Sequence, residues 1–322
     1  MNVIKKIYRY INAQAQEKKI ISEQSKYQIQ FYNCWKQKNE DMYWGQFISH
    51  RHLLDSLPNK TLALFSVFGK REIIDKIAAD YKIFYSAENL GRDNFHQYAD
   101  YCLSNPSINL AMGFDYIDNP RYIRFPLWMD YMFDPWLSTD EIRKKCAELR
   151  FPKCTGKDKL CCMVASNPGD GLRKEMFDGI SKFCHVDSSG RFLHNDDSLK
   201  TEFGDRKTDY LSRYCLNICP ENTDAPGYVT EKIFESISCG CVPIYWGSSQ
   251  HPEPNVLNLD AIIMWDREHN GAIALGKLFD LLSSSKQMQE FMSQPRLLPT
   301  AEEFILDTFS SVEQKFKDII YE

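Results

Sequence analysis

The stretch Tyr214-Cys215-Leu216-Asn217-Ile218-Cys219 is a short apolar run that reads as a β-strand, and the residues after it decide the fold. The loop Pro220-Glu221-Asn222-Thr223-Asp224-Ala225-Pro226-Gly227 leads into Tyr228-Val229-Thr230-Glu231-Lys232, and Ile233, Phe234 and Ile237 then give the apolar face of a helix. Gly240 is placed to close that helix, and Cys241-Val242-Pro243-Ile244-Tyr245-Trp246-Gly247 reads as the next strand. Strand, loop, helix and strand in this order build a parallel, doubly wound sheet. Thr230 is the expected N-cap of the helix.

The same rhythm extends outward. Cys162-Met163-Val164-Ala165 reads as a strand followed by a helix over 171–183. Upstream, 27–32 alternates as a strand would, 62–67 and 82–86 are further short strands, and 72–78 is helical. A chain of 322 residues exceeds the usual span of one core. Two α/β domains are therefore expected, over 1–150 and 151–305, with 306–322 as a helix packing back on one of them. The charged stretch 134–159, holding Pro135, Pro152 and Gly156, reads as a linker around a short helix at 139–150. Phe304, Ile305, Phe309, Phe316, Ile319 and Ile320 recur at roughly helical spacing in the tail.

Composition removes several function classes. A net charge of −5 argues against a nucleic-acid partner, which needs a basic face. The eleven cysteines are odd in number, follow no signal peptide and sit partly inside apolar runs, so they read as reduced thiols of a cytosolic protein. Cys161 adjoins Cys162 and one residue separates Cys239 from Cys241, spacings that disfavour structural zinc. No apolar run approaches the roughly 20 residues that span a bilayer. Residues 1–10 place Ile4, Ile7 and Tyr8 among basic residues at helical spacing, which predicts a helix docked on the protein, with membrane contact at most peripheral.

Two loops carry the chemistry. A helix beginning near Thr230 offers unpaired N–H groups and a positive dipole end to an anion. Lys232 places a cation where the dipole disfavours one, so either a bound anion or a neighbouring glutamate offsets it. The loop Ser166-Asn167-Pro168-Gly169-Asp170-Gly171 follows the 162–165 strand and sets Arg173 in the next helix's first turn. A guanidinium fork fits a phosphate bidentately, although Asp170 is the alternative partner. Cations on two loops at strand ends point to a diphosphate.

These residues resemble a known motif. Glu221-Asn222-Thr223, Gly227-Tyr228-Val229-Thr230-Glu231-Lys232-Ile233 and Val242-Pro243-Ile244-Tyr245-Trp246-Gly247-Ser248 are similar to the donor-binding motif of the α1,3/4-fucosyltransferases, glycosyltransferase family 10, the bacterial members above all. The resemblance runs back through Ala165-Ser166-Asn167-Pro168, Arg173, Gly113-Phe114-Asp115 and 121–127 to Ala87-Glu88-Asn89, covering most of 83–250. It implies the GT-B architecture, two Rossmann-like domains facing across a cleft, with the acceptor on the N-terminal domain and GDP-fucose on the C-terminal one. Arg173 and Lys232 would then bind the pyrophosphate. Tyr228 and Glu231 would contact ribose, fucose or diphosphate, and Asn222, Ser166 and Asn167 complete the donor set.

The resemblance also makes Glu88 the catalytic base of an inverting transfer, to a hydroxyl of an oligosaccharide acceptor of lactosamine type. Taken by itself, Glu88 is one of 44 acidic residues and would read as solvated surface. His96 is the second candidate base or acceptor contact, against a packed or surface histidine. Trp35, Trp44 and Trp128 offer flat faces for sugar stacking, against a place in the core. No acidic pair with metal-ligand spacing flanks the donor strands, so no cofactor and no essential divalent ion is expected. Two other readings stay open, a transferase of another nucleotide sugar and a silent glycan-binding protein on the same scaffold.

Overall fold

Among the described residues, 3–35 and 42–321 of a computed structural model, ten strands fall into two all-parallel sheets of five. The first sheet holds β1 (Ile29–Tyr32), β2 (Leu62–Phe65), β3 (Tyr81–Tyr85), β4 (Leu110–Gly113) and β5 (Tyr122–Arg124), side by side in chain order. The second holds β6 (Lys159–Met163), β7 (Val186–Ser188), β8 (Tyr214–Ile218), β9 (Val242–Tyr245) and β10 (Ile263–Met264), in the order β10-β9-β8-β6-β7. Both are all-parallel α/β sheets, as the rhythm of the sequence led us to expect, and the reversal of strand order that defines a doubly wound sheet occurs in the second.

β2, β4 and β9 are buried at every position. Parallel strands covered on both faces lose the polar alternation of a half-exposed strand, so apolar runs mark them. β5, β7 and β10, of two or three residues each, offer no such run and were not expected, and β4, also unexpected, is an apolar run as long as β2. The helix at 231–238 ends as its glycine implies. Gly240 has φ +72°, the N–H of Cys241 donates to Ser236 O at 3.0 Å and that of Gly240 to Ile237 O at 2.8 Å, a complete Schellman motif.

The chain divides into two compact units, one of residues 1–113, 117–124 and 311–322, the other of 114–116 and 125–310. The division therefore falls near residue 125, not at 150. The cause is visible at Trp128, which stacks on Phe234 with ring centroids 4.1 Å apart and planes 11° apart. The helix Thr139–Arg150 buries Ile142, Cys146 and Leu149, so it is core-forming sequence and not part of a linker, whereas none of residues 151–159 is buried. Its start is fixed by a capping box between Ser138 and Glu141. The last helix begins at Ala301, earlier than 306, and contributes 301–310 to the second unit and the rest to the first.

In the first unit, Ala63, Phe65, Phe84 and Ala111 pack with Ile73, Ile74 and Tyr98. Ile20 and Ile21 of the helix Val3–Gln24 lie against this cluster; the side chains of 1–12, on which the docked-helix expectation rested, are outside the described residues. In the second unit, β6, β8 and β9 pack on Leu172, Met176 and Ile180 of one helix and Ala274 and Leu278 of another. The eleven cysteines are all free thiols, seven of them buried. None of the described helices is long and apolar enough to cross a membrane.

Candidate active site

In the second sheet β7 lies on one side of β6 and β8 on the other, so the connections diverge between β6 and β8. Ligands of open parallel sheets bind outside the carboxyl ends of the strands at such a point. A cavity of about 230 Å³ lies there, lined by residues following β6 and β8. It brings together Ser166, Asn167, Arg173, Asn222, Glu231 and Lys232.

Arg173 is buried, in the first turn of the helix Leu172–Ile180. Its Nη1 donates to Asn167 O and its Nη2 to Asn222 Oδ1, each at 2.6 Å. Both partners are neutral, and among the described residues Arg173 makes no ion pair. Asp170, the alternative partner, instead accepts from Arg267 at 2.5 Å. Burial pulls the Arg173 pKa below its usual value, against the opposing charges of Glu221 and Asp170.

Lys232 is arranged differently. Its Nζ donates to Glu221 Oε2 at 3.1 Å and to Thr230 Oγ1 at 2.7 Å, and lies 3.5 Å from Glu231 Oε1. Burial would lower its pKa, but the charges of Glu221 and Glu231 outweigh that and raise it. For Glu231 burial acts upward, and Lys232 with a backbone hydrogen bond brings the carboxyl below its usual value. Of the two expected cations, then, one is matched by the protein's own carboxylates and one is not.

Glu221 is the residue the sequence reading passed over. Its side chain is fully inaccessible and accepts from Thr230 N at 2.8 Å, Thr230 Oγ1 at 2.6 Å, Lys232 Nζ and Tyr245 OH at 3.2 Å. Thr230 does hold the N-cap position with extended backbone, but its hydroxyl turns to Glu221 and makes no cap bond. The first-turn N–H groups of Glu231–Ser238 are thus left without a side-chain cap. Lys207 and Asn217 also line the cavity, and Lys207 pairs with Glu235 at 2.5 Å. Nothing local marked Lys207, which arrives from the separate helix Lys207–Leu211. Beyond its place in the motif segment Glu221-Asn222-Thr223, nothing local in the sequence marked the role of Glu221.

Tyr228 does not line the cavity. It is 1% exposed and meets Phe114 edge-on at 5.0 Å. In the first unit Glu88 follows β3, where the Ser86 hydroxyl accepts from Glu88 N and donates to Glu88 O, fixing the turn. Its carboxylate accepts from Arg92 Nη1 at 3.1 Å. His96 is exposed in a 3₁₀ turn. Trp44 is 3% exposed and stacks on Phe316, and Trp128 is fully buried, so neither offers a face to a sugar. Trp35 is 79% exposed. Among the described residues no cluster of three or more His, Cys, Asp or Glu is placed to hold a metal.

Residues 29–131 match the family model described as the Alpha-(1,3)-fucosyltransferase FucT N-terminal domain, and residues 154–293 that of the Glycosyltransferase family 10 (fucosyltransferase) C-term. This chain belongs to glycosyltransferase family 10. Among curated relatives of this family member, Helicobacter pylori Alpha-(1,3)-fucosyltransferase FucT is 29% identical over 248 residues, 66% of this chain and 47% of the relative. Drosophila melanogaster Alpha-(1,3)-fucosyltransferase B is 32% identical over 120 residues, 34% and 27% of the two chains. The family 10 chain thus spans less than half the length of these relatives. A crystal structure of an α1,3-fucosyltransferase superposes with a TM-score of 0.57 at 20% identity, covering 90% of this chain and 92% of the other. One of an α1,3-fucosyltransferase with GDP-fucose gives 0.54 at 20%, covering 88% and 89%. These likenesses give the fold, the GT-B class built on two Rossmann-like sheets.

Proposed function

We propose that this family 10 chain is an inverting fucosyltransferase that moves L-fucose from GDP-β-L-fucose to a hydroxyl of an acceptor glycan, by α1,3 or α1,4 linkage to N-acetylglucosamine in a lactosamine-type unit. One observation carries the donor half: a buried guanidinium held only by neutral oxygens, on a cavity at the sheet's switch point. A buried charge left without a counter-charge is costly, and a diphosphate supplies one. The fucosyltransferase family fixes which diphosphate sugar is the first to test.

In this reading the acceptor hydroxyl attacks the anomeric carbon from the face opposite GDP. The new C–O bond forms as the bond to the β-phosphate oxygen breaks, Glu88 takes the hydroxyl proton, and GDP leaves with the electron pair. A positioned base contributes about 100-fold to 10,000-fold. The leaving diphosphate needs charge stabilisation and no proton, which Arg173, Lys232 and the uncapped N–H groups beside Glu231 supply. Ser166, Asn167 and Asn222 supply polar contacts on the same cavity. Tyr228, packed behind the loop, acts by holding that loop's shape.

The two cations are not equivalent. Arg173→Ala removes the charge that has no partner, and GDP affinity falls about 100-fold by calorimetry, the range for truncating a buried charge contact. Lys232→Ala gives a smaller loss, because Glu221 and Glu231 already draw on that charge. Equal GDP affinity in wild type and Arg173→Ala would remove the diphosphate reading. A release assay over GDP- and UDP-linked sugars tests the donor, and preference for a sugar other than fucose would overturn the fucosyl assignment. Glu88→Gln abolishes transfer with GDP binding intact; full activity in that variant excludes it as the base.

A further inference from the structure

β1, β2 and β3 are adjacent, parallel and in register, with Tyr32 opposite Phe65 and Phe65 opposite Phe84. Each delivers a residue three positions beyond its last: Trp35 after Tyr32, Phe68 after Phe65 and Glu88 after Tyr85. This sheet runs in chain order, without the switch point that marks the ligand crevice of the second, so what marks a site here is the side chains at these strand ends. The rings meet there. Trp35 packs edge-on to Phe68 with centroids 5.1 Å apart, Phe68 edge-on to Phe95 at 5.7 Å, and the Arg92 guanidinium sits over Phe95 at 5.6 Å while reaching Glu88. An unbroken line of contacts thus runs from an open indole to the candidate base.

The loops beneath are pinned. Phe68 N donates to Asn33 O at 2.8 Å, and Asn33 Nδ2 donates to Lys70 O and to the Tyr98 hydroxyl, which donates in turn to Gly69 O. A β-carbon on Gly69 would meet Asn33 Oδ1 at 1.9 Å, so the two loops touch as only glycine permits. Trp35 at 79% and Phe68 at 38% nevertheless stay open to solvent. Two rings are far smaller than the about 800 Å² per partner that a protein interface takes. They match one pyranose, whose axial C–H face lies on an aromatic face while its hydroxyls reach charged neighbours.

We propose that the open indole face of Trp35 is the acceptor-sugar platform, taking the apolar face of a pyranose, with Phe68 bracing the indole edge-on and bounding the side from which the hydroxyl edge reaches Glu88 and Arg92. This rests on the transferase reading of the same chain, and the test separates the two. With GDP-fucose as donor and N-acetyllactosamine as acceptor, Trp35→Ala raises the acceptor KM roughly tenfold with a smaller change in kcat, the range of one aromatic contact. Trp35→Tyr recovers most of the loss, Phe68→Ala moves KM in the same direction, and Phe279→Ala, an exposed ring in the other unit, changes nothing. A wild-type acceptor KM in Trp35→Ala overturns the platform. Should the chain transfer no fucose at all, saturation-transfer NMR of N-acetyllactosamine with the protein alone reads the platform directly. Binding lost in Trp35→Ala upholds it, whereas binding equal in both, or absent from wild type across a panel of β-linked disaccharides, sinks it.

Discussion

At the scale of single residues, the carboxylate of Glu221 decides how the candidate site is built. It is inaccessible and gathers four donors, one of them the Lys232 ammonium at 3.1 Å. Removing one member of a buried pair leaves the other uncompensated, at about 3–5 kcal/mol. Lys232→Ala is accordingly expected to lower the unfolding free energy from urea titration by that much, and with it the midpoint, a loss separate from any loss of GDP affinity. Glu221→Gln, which keeps the shape and loses the charge, costs less. A Lys232→Ala midpoint equal to wild type contradicts the pairing. The pH dependence has a definite sign. Glu231's folded carboxyl lies below 4.5, so its contribution is complete above that pH and is lost as pH falls through the folded value; Lys232 lies above 10.5, and its contribution is lost as pH rises through the folded value. The stability gap between wild type and Glu231→Gln therefore persists at neutral pH and closes in acid. A gap that widens in acid refutes the assignment. From the sequence, Arg173 and Lys232 were recognisable because each sits in a helix's first turn, where the dipole disfavours a cation. Glu221 was not, because a partner eleven residues away across a loop leaves no periodic trace.

At the scale of elements, the strand, loop, helix and strand of 214–247 were legible because each boundary has a local cause. Apolar runs mark β8 and β9, and Gly240 adopts a left-handed conformation that few other residues accept. A β-carbon there would also meet Lys153 O at 2.1 Å. Gly240→Ala is expected to cost more than the about 1 kcal/mol of the conformation alone, since a backbone carbonyl must shift as well. Thermal unfolding of the variant reads it, and a midpoint at or above wild type would show that the Schellman turn tolerates a side chain. The order of the second sheet was not legible. Which neighbour β8 chooses depends on how the 189–213 segment returns across the sheet, and no residue within β8 records it. Yet that order puts the switch point between β6 and β8 and so brings loop 166–173 against loop 220–232. The sequence named both loops, and the topology explains why they line one cavity.

At the scale of the whole molecule, the final helix does what composition alone could not foretell. Its amphipathic spacing promised packing on one domain, but 301–310 belong to the second unit and 311–321 to the first, because its apolar positions continue past the point where the core changes. In the first unit Phe316 is fully buried, stacked on Trp44 at 5.9 Å and against Phe47 at 5.8 Å, while Tyr81 OH donates to Ile320 O and Arg51 pairs with Glu313. A sequence break at 306 misses this, since nothing in the 301–321 pattern marks a change of partner. The cavity proposed to take the donor, by contrast, is lined wholly by residues of the second unit. Phe316→Ala should therefore act on one unit alone. It opens a cavity in the first core worth about 3–5 kcal/mol, which calorimetry registers as an earlier transition, and below that transition GDP affinity stays at the wild-type value because no cavity residue has moved. On the proposed roles of Glu88, Trp35 and Phe68, all in the first unit, transfer activity falls with the fraction of that unit folded. If Phe316→Ala instead weakens GDP binding in step with unfolding, the two cores melt as one cooperative body, and the independence of the proposed donor cavity from the first unit must be given up.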